Sequence, residues 1–148
     1  MKKLLQENRK ARFNYEFLQV LQCGIVLVGS ELKSILNYDF SITEGYCYIT
    51  DKKEVFIKGF NIQEYKNATH TNHEPLREKK LLLNKDEIEE LHYKIKTNKG
   101  FTLVPIKLYV ADNGLIKMEI ALCKGKKTHD KRDDIKKRDV ERELKRKF

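Results

Sequence analysis

Phe101-Thr102-Leu103-Val104-Pro105-Ile106-Lys107-Leu108-Tyr109-Val110 and Leu115-Ile116-Lys117-Met118-Glu119-Ile120-Ala121-Leu122 flank Asp112-Asn113-Gly114. Two runs of β-branched and aromatic residues joined by Asn-Gly form the strongest short-range signal for a hairpin, because that turn needs left-handed backbone which Gly supplies without strain. The spacing therefore predicts a long antiparallel pair. Pro105 has no backbone donor, so its strand is expected to be an edge or to bulge there.

Working backward, Asn84 is placed to cap a helix from about Lys85 to Thr97, with Ile88, Leu91 and Ile95 on one face and Gly100 after its end. Residues 66–80 lose all periodicity and read as one long loop. Tyr46-Cys47-Tyr48-Ile49 and Val55-Phe56-Ile57 read as a second hairpin around the polar Thr50-Asp51-Lys52-Lys53-Glu54. Gly29 to Leu36 reads as a short helix with Leu32, Ile35 and Leu36 on one face and Ser30 as its cap. Phe13 to Val28 has strand composition, with Gly24 marking a bulge or a close approach. About six antiparallel strands with two or three short helices fit a mainly β chain. A closed six-stranded barrel of the oligonucleotide-binding type is the leading architecture, since closure leaves no strand edge to aggregate, and an open α+β sandwich is the alternative.

The formal charge of +9 is concentrated at the two ends. From Cys123 onward there are 12 Lys/Arg against 6 Asp/Glu, and residues 1–12 carry Lys2, Lys3, Arg9, Lys10 and Arg12 against Glu7, so residues 13–122 are close to neutral. This divides the chain into a basic N-terminal arm (1–12), a barrel domain (13–124) and a basic C-terminal tail (125–148). So polar a tail cannot offset its ordering entropy and is expected to be disordered when free. It has the makings of a helix once bound. Val140, Leu144 and Phe148 recur at i+4, and Asp133/Lys137, Asp134/Arg138, Glu141/Lys145 and Glu143/Lys147 are acid-before-base pairs. A polyanion could order it, because Lys and Arg on phosphates release counterions.

Cys23, Cys47 and Cys123 are widely spaced and form no metal pattern, as expected of small core residues in a reducing compartment. No apolar window is long enough for a signal peptide or a membrane span, so a cytoplasmic, monomeric protein without cofactor or metal is expected. His70 and His73 lack a third ligand nearby. Glu87, Glu89, Glu90 and His92 sit on the outward face of an ordinary amphipathic helix. An enzyme is not expected, since a small nuclease would need convergent carboxylates, and the dense acids lie only in that helix and the tail. An RNA adaptor and a generic RNA-binding or ribosome-assembly barrel are both compatible with the charge.

Asn8-Arg9-Lys10-Ala11, Gly24-Ile25-Val26-Leu27-Val28-Gly29-Ser30-Glu31-Leu32-Lys33-Ser34, Lys80-Leu81-Leu82-Leu83, Leu103 to Tyr109 and Gly125-Lys126-Lys127-Thr128-His129-Asp130-Lys131-Arg132, in this order, resemble the SsrA-binding protein (small protein B) family. The resemblance implies an oligonucleotide-binding barrel without enzymatic activity that binds the tRNA-like domain of transfer-messenger RNA. It implies delivery of that RNA to stalled ribosomes for trans-translation, with the tail folding as a helix in the empty decoding centre and mRNA channel of the small subunit. It also implies that alanyl-tRNA synthetase and the elongation factor carrying aminoacyl-tRNA act on the same RNA. Residue by residue, Asn8, Leu82, Lys117, Lys124 and Gly125 match positions tied to RNA binding, and Arg9, Lys10, Lys79, Lys126 and Lys127 are basic residues within or beside the matching blocks. His129, Asp130, Lys131 and Arg132 match the decoding-site segment, where a planar imidazole can stack on a base, and Lys136, Lys137 and Arg138 continue its basic character. Gln22 stands where the family commonly has an RNA-binding Glu, keeping the acceptor oxygen without the charge. Leu36 replaces a usual Arg, and Asn37 to Phe40 replace a Gly/Lys-containing turn.

Overall fold

The computed structural model describes residues 3–66 and 72–125. The decisive hairpin is present as β8 (Phe101–Val110) and β9 (Ile116–Gly125), with Gly114 at φ +82° and Ala111 N–H donating to Leu115 O at 2.9 Å. The other strands are β1 (Lys3–Glu7), β2 (Tyr15–Ile25), β3 (Phe40–Ser41), β4 (Tyr46–Ile49), β5 (Val55–Lys58), β6 (Asn61–Ile62) and β7 (Lys79–Leu82). The helices are α1 (Arg9–Asn14), α2 (Gly29–Leu36) and α3 (Lys85–Thr97).

The main sheet runs β1-β8-β4-β5-β7-β2-β9, and β9 returns to pair with β8, so six antiparallel strands close into a ring. β3 and β6 form a separate pair. The period-2 pattern sends Ile116, Met118, Ile120 and Leu122 of β9 into the barrel, where they meet Leu21, Val55, Ile57, Leu81, Leu103 and Leu108. Ile35 of α2 and Leu91 of α3 are fully buried in the same core. Each such side chain contributes about 1.5–3 kcal/mol. Cys23, Cys47 and Cys123 are buried and unpaired, and burial pushes the Cys23 and Cys123 thiols up to about 12.

Residues 3–12, expected as a basic arm, are part of the fold. β1 pairs with Lys107 to Val110 of β8, while β8 meets β4 through Leu103 and Cys47. Pro105, which has no donor to give, lies where β8 passes from one neighbour to the other, and the register shifts between Pro105 and Lys107. Asn8 fills the gap. Its backbone N–H donates to Ile106 O at 2.8 Å, its Nδ2 donates to Pro105 O at 3.0 Å, and its Oδ1 caps α1 by accepting from Ala11 N–H at 3.2 Å. α1 then covers the outside of β8 and β9, packing Ala11 on Val104, Ile106, Ala121 and Cys123 with Tyr15 and Phe17 alongside.

Two local details differ from the sequence reading, the cap of α2 and the end of the long loop, and a third settles an alternative. The cap of α2 is formed at Val28, whose N–H is taken by Glu31 Oε1 at 2.9 Å, and Ser30 instead bonds His73 Nδ1 at 2.8 Å. Of the two alternatives at Gly24 the close approach is the one found, a Cβ there lying 3.3 Å from Leu82 Cβ, and the bulge in β2 falls between Phe17 and Gln19. The long loop ends early, because Lys79 already belongs to β7. Asn84 caps α3 as expected, its Oδ1 accepting from Glu87 N–H at 2.9 Å while Glu87 reaches back to the Asn84 N–H at 3.1 Å.

Candidate nucleic-acid interface

Strand pairing brings part of the predicted site together on the outer face of the barrel. Leu82 lies opposite Gly24, Gly24 opposite Lys117, and Lys117 opposite Tyr109, making one row across β7, β2, β9 and β8. The next row holds Gln22, Glu119 and Lys107. A Cβ at Gly24 would sit 3.3 Å from Leu82 Cβ, so the glycine is what lets the two strands present an uncovered groove. That groove, about 340 Å³, is lined by Ile25, Val28, Leu32, Leu82, Leu115 and Lys117. Leu82 is 51% exposed and Leu115 57%, and with Val28 and Leu32 they leave this lining uncovered as one contiguous apolar patch, the kind of surface that marks a binding site. An apolar floor with a lysine at its rim can take an unpaired base while the amine holds a phosphate.

A second group lies at the other end of β9. Lys124 and Gly125 pair with Glu16 and Tyr15, immediately after α1, which carries the exposed Arg9 and Lys10. Lys124 Nζ is 3.6 Å from Glu16 Oε2, and Lys10 Nζ is 3.7 Å from Glu44 Oε1. Such exposed pairs contribute less than about 1 kcal/mol and yield readily to a phosphate. The strand from Lys117 to Lys124 separates the groups by about 23 Å.

Two predicted contacts are corrected. Asn8 is 3% exposed and its amide is committed to Pro105 and Ala11. Lys79 is 0% exposed, its Nζ donating to Phe60 O at 2.6 Å and lying 3.8 Å from Glu31 Oε2. The alternation of β7 explains this: Lys79 and Leu81 point inward, so Lys80 and Leu82 point out. Burial pushes the Lys79 amine down to about 8, opposed by the Glu31 charge, which leaves it protonated at neutral pH. Glu31, also fully buried, receives Arg77 Nη2 at 2.6 Å and Nε at 3.1 Å, and Arg77 Nη2 also donates to Val26 O at 3.2 Å. Burial alone would raise the Glu31 carboxyl. The Arg77 hydrogen bonds, the Val28 N–H and the charges of Arg77 and Lys79 outweigh it and hold the group below the usual carboxylate range.

Lys126, Lys127, His129, Asp130, Lys131, Arg132, Lys136, Lys137 and Arg138 lie outside the described residues, as does His70. His73 is 6% exposed and serves the fold, its Nε2 lying 2.8 Å from Ile62 O. Among the described residues no helix is long and apolar enough to cross a membrane.

A family model described as SmpB protein matches residues 5–148. The chain belongs to the SmpB family. It is 46% identical to the SsrA-binding protein of Treponema denticola, over 97% of this chain and 92% of that protein. It is 51% identical to the SsrA-binding protein of Mycoplasma mycoides, over 94% of this chain and 93% of that one. A solved structure described as "tmRNA-SmpB: a journey to the center of the bacterial ribosome" contains a chain that superposes with a TM-score of 0.68 at 36% identity, covering 84% of this chain and 85% of that chain.

Within this SmpB-family chain, sequence reasoning missed Lys107 and Glu119, which the register places beside Gln22 and Lys117, whereas Tyr109 in the same row is only 4% exposed and belongs to the packing. The period-2 alternation of β9 carried the signal for Glu119, since a residue two after Lys117 shares its face. Nothing local pointed to Lys107, whose place depends on the bulge at Pro105. Burial and the nearby Glu119 charge push the Tyr109 phenol up, so it stays a neutral donor.

Proposed function

We propose that this chain binds the tRNA-like domain of transfer-messenger RNA on its barrel and delivers that RNA to stalled ribosomes, acting as an adaptor and not as an enzyme. The observation that carries the reading is the open Gly24–Leu82–Lys117 groove on a chain that matches the SmpB model from residue 5 to its last residue. The exposed leucines and Lys117 would take the RNA at one end of the barrel. Arg9, Lys10, Lys124, Gly125, Lys126 and Lys127 would take it at the other. His129 to Arg132 and the basic residues after them would enter the vacant decoding centre and mRNA channel as a helix, with His129 stacked on a base of the small-subunit RNA. The elongation factor carrying aminoacyl-tRNA and alanyl-tRNA synthetase would meet this chain only through the shared RNA, in the bacterial cytoplasm.

Competition tests this reading against a generic RNA-binding barrel. Transfer-messenger RNA should displace bulk tRNA from the full chain at moderate salt, whereas a generic barrel would give equal competition along a single electrostatic salt slope. Removing residues 125–148 should leave RNA binding largely intact and abolish tagging on purified stalled ribosomes. Loss of RNA binding in the truncation would overturn the division between barrel and tail.

A further inference from the structure

Glu119 is a carboxylate in the middle of a face offered to a polyanion. It is half-buried, flanked across the strands by Gln22 and Lys107, and shares its side of β9 with Lys117. Elsewhere on the barrel several carboxylates are tied to bases, Glu7 to Arg12, Glu16 to Lys124, Glu44 to Lys10, Glu54 to Lys80 and Glu78 to Lys58, while others such as Asp51, Glu64 and Asp86 are exposed to water. Glu119 is in neither position, being half-buried within the strand face. Among the described residues its carboxylate has no salt bridge or hydrogen bond, although Lys107 stands directly opposite. The Gln22 amide is likewise unengaged among the described residues.

A carboxylate covered by RNA without a donor would be desolvated and would repel phosphates, which are acceptors only. The partner must therefore bring donors to it, and on RNA these are the 2′-hydroxyls, which every ribose carries, and the N–H groups of base edges, which alone let the residue tell one RNA from another. We propose that Glu119 is a base-reading residue of this interface, its carboxylate accepting hydrogen bonds from a nucleobase edge that presents amino or imino N–H groups while Lys117 and Lys107 hold the adjoining phosphates. This rests on the RNA-binding function proposed above. It adds which chemistry the groove selects, a donor-presenting edge such as that of guanine or cytosine over an acceptor-only one.

The test turns on a change of sign. In the full-length protein, Glu119→Gln and Glu119→Lys are compared with wild type for binding to transfer-messenger RNA and to bulk tRNA at one salt concentration. Both remove a negative charge and so should tighten binding if Glu119 is only a repelling surface group. Base reading predicts the opposite, a loss of about tenfold or more for transfer-messenger RNA in both variants, the size of a charge-assisted hydrogen bond. Bulk tRNA should not share the loss. Unchanged or tighter binding of transfer-messenger RNA, or an equal loss for both RNAs, overturns the inference. Failure of the wild-type protein to prefer transfer-messenger RNA would instead overturn the function on which it rests, so the two failures are separable. Glu119 lies outside the barrel core, and a thermal melt of each variant registers any unfolding.

Discussion

Lys79 and Lys80 are neighbours in sequence with opposite fates, one fully buried beside Glu31 and the other on the surface 3.0 Å from Glu54. The buried group ties α2, the segment carrying Arg77 and the start of β7 together, and so sets where Leu32 and Leu82 stand. Breaking one side of such a cluster leaves an uncompensated charge. Glu31→Gln should cost about 3–5 kcal/mol in urea or guanidinium unfolding. Its pH dependence has a definite sign. The Glu31 carboxyl is held below its ordinary 4.5, so its contribution is complete above that value and is lost as pH falls through the lower folded value. The stability gap between wild type and Glu31→Gln should therefore be constant near neutrality and shrink below about pH 4.5, read from urea midpoints across pH 3–7. Leu82→Asp addresses the surface instead. It should leave the melting temperature nearly unchanged and weaken binding of transfer-messenger RNA at least about tenfold, because it sets a charge in the apolar floor.

At the scale of elements, β8 is the strand on which the others depend, since it pairs with β1, β4 and β9 and changes neighbour at Pro105. Asn8 closes that change of neighbour and caps α1. Asn8→Ala should therefore cost more than an ordinary cap, about 2 kcal/mol, because the Pro105 carbonyl also loses its partner. Any loss of RNA affinity in this variant should follow its loss of stability and vanish on cooling, which distinguishes a supporting residue from a contact. Asn84→Ala serves as the comparison. It removes a single exposed cap from α3 and should cost about 1 kcal/mol in the same assay, with RNA affinity unchanged.

For the whole molecule, closure of the ring fixes two basic or apolar patches about 23 Å apart on one rigid body, and the tail leaves from the second of them. Contacts that far apart should act independently. Lys117→Ala and Lys124→Ala should each reduce the slope of log affinity against log salt by about 1, and the double variant by about 2. A double variant no different from either single one would show that the RNA does not span both patches.

The sequence by itself determined most strands of the ring, the Asn-Gly hairpin, the capped helix from Lys85 and the ordered blocks that place the chain in its family, because these depend on local backbone preferences and on residues read in line. It also separated a nearly neutral barrel from charged ends, although the N-terminal end proved to be a strand and a helix of the barrel. Charge alone could not reveal that Leu4 and Leu5 belong to a strand, since the pairing with β8 that holds them is made about a hundred residues away. Tertiary structure decided which basic residues face solvent. It buried Asn8 and Lys79, turned Lys80 outward, and set Glu119 beside Gln22 and Lys117. The physical reason is that a strand shows one face to the core and the other to water. Which face a residue occupies is fixed by register and by bulges such as those at Phe17 and Pro105, and register is settled only when the ring closes.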